Sequence, residues 1–276
     1  MERIFGPFRI DTDFSDRQQS IIAEQQKDDI CFYRFIGGNP SETQELPKQL
    51  QSLRERKPLL IGVFRFPFRF EGKRRQMTAR EQYFIMKEFC DAVIFFDSEG
   101  LMETIDPSTP IHEAREVFDT IEELTIKALR EMIDETGKVN IDYQDVKAFI
   151  YQNRGPLFLH TIEGRNFDEP LKHLIQTPYL PTDFTEAEQL ILNIGYTRDV
   201  DMETFRQINL RLNDLFDKAE LFKIGSYFMD EPGQRFKITM LVNGLSDPVK
   251  MPEEEKNKPS SSKYRNFIRK WLVENR

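Results

Sequence analysis

The residue types that build metal and redox sites are scarce in this sequence of 276 residues. It contains 2 cysteines, Cys31 and Cys90, which form no C-x-x-C pair, and 3 histidines that lie far apart. Both cysteines fall in apolar or helical stretches, which is typical of reduced, buried side chains in a cytoplasmic protein. We expect no metal site, because zinc ligands come as closely spaced Cys and His residues.

Long apolar runs and an excess of positive charge are also missing. No run approaches the ~20 residues needed to cross a bilayer, and no window has the pattern of a secretory signal. The chain has 39 Lys and Arg against 47 Asp and Glu, and this net charge of −8 argues against nucleic acid as a partner. The 24 Phe and 8 Tyr supply apolar surface for a folded core, and we expect a cytoplasmic protein.

Short apolar runs alternate with helical patterns in the first half of the chain. Strand-like runs are predicted at 30–36, 59–64 and 92–96, with helices at 16–26, 45–56 and 79–90. This alternation predicts an α/β fold with a parallel sheet. A long helix at 110–134 is followed by strand patterns at 156–161, 189–197, 221–227 and 236–242 around a helix at 201–218.

Six stretches of the chain resemble FtsZ, the bacterial relative of tubulin. Residues 67–75, PFRFEGKRR, are similar to the PF-x-FEG-x-x-R segment of that family. The match continues through Asp91-Ala92-Val93-Ile94, and residues 137–145, GKVNIDYQD, are similar to its catalytic loop N-x-D-x-x-D. Further similarities to its C-terminal strands lie at 191–194, 224–226 and 236–239, so that the resemblance covers roughly 28–245.

The resemblance implies a shortened and divergent member of the FtsZ/tubulin superfamily. The implied fold is an α/β nucleotide-binding-type domain with a parallel sheet, truncated at its start, then a long central helix and a smaller α+β domain. The expected boundaries are 1–109 for the truncated domain, 110–136 for the helix, 137–245 for the α+β domain, 246–262 for a linker and 263–276 for an amphipathic tail. The opening strands of the family have no counterpart before Asp28.

The resemblance also implies site residues, because family members bind GTP, polymerise head to tail and cleave GTP when the next subunit supplies its catalytic loop. The positions that match nucleotide-binding residues are Gly37, Gly38, Glu71, Arg75 and Asp119. The positions that match the catalytic loop are Asn140, Asp142 and Asp145.

The phosphate-binding positions depart from the family pattern. The family has GGGTGTG after the strand at 30–36, whereas this chain has Gly37-Gly38-Asn39-Pro40-Ser41-Glu42-Thr43. Pro40 has no N–H to offer to a phosphate, and the Glu42 carboxylate repels one. Arg115 stands where the family has the aromatic residue that stacks on the base, and Ser98 stands where it has the Asn that reads guanine. We expect binding of GTP or GDP to be disfavoured and the protein to lack enzyme activity of its own; if it is an enzyme, it is a GTPase acting across a subunit interface.

The acidic loop has two interpretations. Asp142 and Asp145 are carboxylates three residues apart at a helix start, which can orient an attacking water in a neighbouring subunit's phosphate pocket. The same spacing predicts a capping box, in which both carboxylates serve the helix alone. The two roles are compatible.

The tail carries apolar residues at helical spacing with basic residues around them. Its candidate partner-binding residues are Phe267, Ile268, Arg269 and Trp271. The segment can bind a partner protein as a helix in a groove, lie on an anionic membrane surface, or fold back on its own domain.

Three functions fit these patterns. The first is an FtsZ-like protein of the cytoskeleton or of cell division, with a degenerate GTP site, that interacts with FtsZ-type polymers through its acidic loop. The second is a divergent GTP-binding GTPase that polymerises with itself. The third is a dimeric scaffold that needs no nucleotide.

Overall fold

The fold is described from a computed structural model. It describes residues 30–251 except for 56–57, 136, 138, 154 and 166–176, together with the backbone but not the side chains of 221 and 222. The predicted helix at 16–26, the tail at 263–276 with Phe267, Ile268, Arg269 and Trp271, and most of the predicted linker lie outside the described residues.

Seven strands form one mixed sheet. Their bounds are β1 Ile30–Ile36, β2 Leu59–Phe66, β3 Ala92–Asp97, β4 Pro156–Gly164, β5 Gln189–Tyr196, β6 Glu220–Phe228 and β7 Phe236–Asn243. The strand order is β1-β2-β3-β4-β7-β5-β6. The pairs from β1 to β4 and the pair β5–β6 are parallel, whereas β7 is antiparallel to both β4 and β5.

Six α-helices lie within the described residues. They are α1 Leu46–Arg54, α2 Lys73–Phe89, α3 Ser98–Met102, α4 Ile111–Asp134, α5 Tyr143–Gln152 and α6 Met202–Leu215. None of the described helices is long and apolar enough to cross a membrane. Helix α2 begins at Lys73 rather than at the predicted residue 79, because its first turn, Lys73-Arg74-Arg75-Gln76, is polar and shows no apolar periodicity.

The two faces of the sheet carry separate apolar clusters. One cluster joins side chains of α1, α2 and α6 to the sheet, including Leu50, Met86 and Leu212. The other joins side chains of α4 and α5 to the opposite face, including Leu129 and Phe149. Burial on both faces explains why β1 to β3 are almost continuously apolar in sequence.

The mixed α/β architecture with a mostly parallel sheet is confirmed. All seven strand patterns found in the sequence are strands in the structure. The second half of the chain does not form a separate sheet, because β4 pairs with β3 through Val93–Pro156 and Ile94–Leu157. The boundaries proposed for the domains remain predictions.

Candidate functional site

The loop after β1 occupies the place where a phosphate loop is expected. Gly38 has a φ of +111°, a conformation that favours glycine. A Cβ atom at Gly38 would lie 2.3 Å from Cγ of Arg75. The stem of Arg75, from the start of α2, therefore packs directly against Gly38 and fills the space beside it.

Most N–H groups of this loop already have acceptors within the protein. The N–H of Gly37 donates to the carbonyl of Arg65 at 2.9 Å, as a continuation of the β1–β2 ladder. After Pro40, the next three N–H groups donate to the side-chain oxygen of Asn39 and to the carbonyls of Asn39 and Pro40, at 3.2 to 3.3 Å. A phosphate loop instead needs free N–H groups that converge on the anion.

Gln82 of α2 forms hydrogen bonds with the loop after β1. It is fully buried, and its Oε1 accepts a hydrogen bond of 2.7 Å from the N–H of Gly38. Its Nε2 donates to the carbonyl of Asn39 at 2.7 Å and to Oγ1 of Thr43 at 2.9 Å. The amide thus meets three polar groups of the loop at once and takes up the donor that Gly38 would otherwise offer to a ligand.

Glu71 and Arg75 pair with each other. Oε2 of Glu71 lies 2.8 Å from Nε of Arg75, and Oε1 of Glu71 accepts a hydrogen bond of 2.9 Å from the N–H of Phe68. The structure therefore brings Gly38, Arg75 and Glu71 together, with Arg75 packed on Gly38 and paired with Glu71.

Asp119 belongs to a cluster of ion pairs between α4 and the carboxyl ends of β1 and β2. Its Oδ1 accepts hydrogen bonds from Nη2 of Arg65 and, at 3.1 Å, from Nη2 of Arg34. Glu122, which is 3% exposed, accepts from Nε of Arg65 and from Nη2 of Arg34 at 2.6 Å. Burial alone would lower the pKa of Arg65, but the charges and hydrogen bonds of Glu122 and Asp119 together outweigh burial and raise that pKa.

Arg65 connects the loop after β1 with the ion pairs of α4. The backbone of Arg65 accepts from Gly37, and its side chain binds the carboxylates of α4. A ribose hydroxyl that donates to Oδ1 of Asp119 would compete with Arg65, whose side chain is 9% exposed and pairs with both Asp119 and Glu122. Breaking such a buried pair is costly, since it leaves an uncompensated charge.

The acidic loop has the geometry of a capping box at the start of α5. The N–H of Asp145 donates to Oδ1 of Asp142 at 2.9 Å, and the N–H of Asp142 donates to Oδ2 of Asp145 at 2.8 Å. Oδ1 of Asn140 accepts from the N–H of Gly137 at 2.6 Å. All three predicted catalytic residues therefore hold the loop in shape.

Lys223 of β6 forms an ion pair with Asp145. Burial alone would raise the pKa of Asp145, but the N–H of Asp142 and the Lys223 ammonium together lower it. Asp142 is exposed, so that its carboxylate lies at the surface with its capping geometry fixed. The loop can present this charge to another molecule without rearrangement.

The positions that match the base-stacking aromatic and the guanine-reading Asn differ in exposure. Arg115 is exposed on the first half of α4, and Ser98 is buried at the start of α3. Within the described residues, no group of three or more His, Cys, Asp or Glu side chains is arranged to hold a metal ion.

Sequence reasoning missed Arg34, Arg65, Glu122, Gln82 and Lys223. A signal for three of them was present, because Arg34 and Arg65 interrupt apolar strands and Glu122 lies four residues after the buried Phe118 on α4. Opposite charges on elements that pack together indicate a buried ion pair.

Comparisons with known proteins agree with this fold. No protein-family model matches the chain. Cell division protein FtsZ 1 of Thermococcus kodakarensis is 28% identical over 230 residues, which cover 82% of this chain and 61% of that protein. This chain therefore spans about three fifths of the length of that curated relative.

Solved structures with the same fold include two filament-forming or dimeric proteins. The empty FtsZ dimer of M. jannaschii superposes with a TM-score of 0.65 at 21% identity, over 81% of this chain and 65% of that chain. The GDP-form protofilaments of TubZ from Bacillus thuringiensis serovar israelensis give a TM-score of 0.59 at 14% identity. The match covers 89% of this chain and 69% of that chain. The expected fold is thus confirmed.

Proposed function

We propose, from the premise that this chain is a divergent FtsZ-like protein of the FtsZ/tubulin superfamily, that it acts in the cytoplasm as a cytoskeletal, division-associated interaction protein. Its nucleotide site is degenerate, and its acidic loop remains able to engage the GTP site of an authentic FtsZ. The observation that carries the proposal is the hydrogen bond from the N–H of Gly38 to buried Gln82.

Three features of the loop support a degenerate site. The N–H of Gly38 donates to Gln82, and the stem of Arg75 packs on that glycine. The carboxylate of Asp119 pairs with Arg34 and Arg65. Glu42 adds a negative charge to the loop. A triphosphate would have to displace internal partners and overcome repulsion, and each effect opposes binding.

The acidic loop supports the interaction. Asp142 is exposed and Asp145 is braced by Lys223, so the loop is organised before any partner arrives, which lowers the entropy lost on docking. A subunit that offers this loop without a working nucleotide face of its own can join one end of a filament but cannot continue it. The result is capping of FtsZ filaments or altered GTP turnover by them.

Mixing the chain with an authentic FtsZ and GTP tests this function. We expect equimolar chain to change light scattering or the GTP turnover of the FtsZ, and Asp142→Asn to abolish the effect. Asn caps a helix about as well as Asp, so this variant removes the charge and keeps the fold.

Asp201→Asn is the matched control, because Asp201 caps α6 through a hydrogen bond of 2.6 Å from the N–H of Thr204. It should behave as the unmodified chain. An equimolar mixture in which filament length and GTP turnover of the FtsZ stay unchanged would refute the interaction.

Self-association is the second candidate function. The solved TubZ relative is a protofilament and the solved FtsZ relative is a dimer, and both share the fold of this chain. Sedimentation of the chain alone, with and without GTP, separates the candidates, because a self-polymerising GTPase sediments faster only with GTP.

A further inference from the structure

A cleft opens at the carboxyl ends of β2 and β3, on the face of the sheet that α2 covers. Its volume is about 720 Å³, and Phe66, Phe95 and Phe158 lie along its apolar floor. The segments 178–183 and 246–250 form two of its walls. Concave sites of roughly 300–1,000 Å³ with aromatic side chains in their lining are typical binding sites.

One of these walls is the last described part of the chain. The carboxylate of Asp247 accepts a hydrogen bond of 2.8 Å from the hydroxyl of Tyr83 and pairs with Nζ of Lys87 at 2.6 Å. Val249 is 9% exposed. The residues at which the predicted linker begins are therefore fastened to α2, and the chain continues beyond Met251 from the rim of the cleft.

Charged side chains also line the cleft. The Nε of Arg80 is shielded from solvent and has no acceptor in the part of the chain that the structure describes. Asp183 also lines the cleft, and its side chain makes no capping hydrogen bond to the helical turn at Phe184–Glu186. An occupant with an acceptor could bind Nε of Arg80, a cation on it could pair with Asp183, and its apolar face could pack on the phenylalanines.

We propose that the chain's own C-terminal segment, residues 263–276, docks in this cleft. The sequence places apolar residues at helical spacing in that segment, namely Tyr264, Phe267, Ile268, Trp271 and Leu272. Lys263, Arg265, Arg269 and Lys270 supply cations for Asp183, and Glu274 supplies an acceptor for Arg80.

Tethering favours this occupant over a separate partner. The twelve peptide steps from Met251 to Lys263 span at most about 40 Å, and the chain starts at the cleft itself. A short tether gives an effective concentration on the order of millimolar, so that even a weak contact is populated. A docked segment hides the face that a partner protein or membrane would bind. The inference does not depend on the nucleotide site.

The single tryptophan of the chain reports docking directly. Trp271 lies in the proposed segment, so its emission and its quenching by acrylamide can be measured in the intact, unmodified protein. We expect emission at shorter wavelength and weaker quenching than in a free peptide of residues 263–276, at every protein concentration.

Engineered cysteines test the location. In a Thr182→Cys, Lys270→Cys variant, one cysteine lies on an exposed part of the cleft wall and the other in the segment. The matched control is Asp199→Cys, Lys270→Cys, with the first cysteine exposed but outside the cleft lining. The native cysteines are buried. We expect an intramolecular disulfide to form about tenfold faster in the first variant, because docking raises the local concentration.

Four results would overturn the proposal. They are a Trp271 emission equal to that of the peptide, a shift that depends on protein concentration, a shift that appears only with phosphatidylserine vesicles, and equal cross-linking rates in the two variants. The second result would indicate contact between copies, and the third would indicate membrane binding.

Discussion

At the scale of the residue, Glu122 is the buried carboxylate that holds two arginines between α4 and the sheet. It accepts hydrogen bonds from Arg34 and Arg65 and so keeps two guanidinium groups paired between α4 and the sheet. Two buried cations facing a helix would otherwise attract an anionic ligand. The protein's own carboxylates, Asp119 and Glu122, take that place and tie α4 to the sheet.

Replacing Glu122 by Gln should destabilise the protein strongly. The change removes the negative charge that pairs with the guanidinium groups of Arg34 and Arg65. Breaking a buried ion pair costs about 3–5 kcal/mol. Glu123→Gln is the control, since Glu123 is 56% exposed and lies 3.5 Å from Nη1 of Arg34, and its loss should cost less than about 1 kcal/mol. Urea unfolding of both variants measures the difference; equal losses would show that the buried cluster contributes little.

His160 should make stability depend on pH. Burial lowers the pKa of His160 to about 4, whereas an unfolded histidine titrates near 6.5. As the pH falls from about 6.5 towards 4, the unfolded chain takes up a proton that the folded chain does not, so stability is lost. Tyr179 and Thr177 flank the ring at 3.1 and 3.4 Å.

Between pH 7 and pH 5 the free energy of unfolding should fall by about 2 kcal/mol through this one group. His160→Gln should remove that part of the pH dependence. His112→Gln should leave it in place, because His112 is 75% exposed. Urea unfolding at pH 7 and at pH 5 measures the effect. The same change in the free energy of unfolding for the unmodified protein and for His160→Gln would contradict this prediction.

At the scale of the element, the start of α5 combines a structural cap with an exposed charge. Asp142→Ala should lower the free energy of unfolding by about 1 kcal/mol, because the N–H of Asp145 loses its acceptor. Asp142→Asn should leave stability nearly unchanged. Thermal unfolding of the two variants measures this, and equal melting temperatures would show that the side chain does not cap α5.

Elements were predictable where burial dictates the sequence pattern. Strands β2 and β3 are covered on both faces, and their continuous apolar runs identified them. The first turn of α2 was not predicted, because Lys73 and Arg74 are exposed there and the turn carries no apolar periodicity. The hydrogen bonds of Gln82 could not be predicted, since they join residues of β1's loop and α2 that only the tertiary fold brings together.

At the scale of the whole molecule, one sheet joins the two halves of the chain. Strands β1 to β3 end beside the Gly37–Gly38 loop and the ion pairs of α4, and β4 continues the sheet towards the strands that brace the acidic loop. Our account holds that the first of these regions is closed to nucleotide and the second is open to a partner. The first part of this proposal rests on the sequence differences at residues 37–43 and on the contacts of Gln82 and Arg65.

Isothermal titration of GTP and GDP into the purified chain tests that claim most directly. Because the N–H of Gly38 and the carboxylate of Asp119 are bound internally, we predict no saturable heat up to about 1 mM nucleotide, which corresponds to binding weaker than about −4 kcal/mol. Saturable binding of either nucleotide at micromolar concentration would contradict the account.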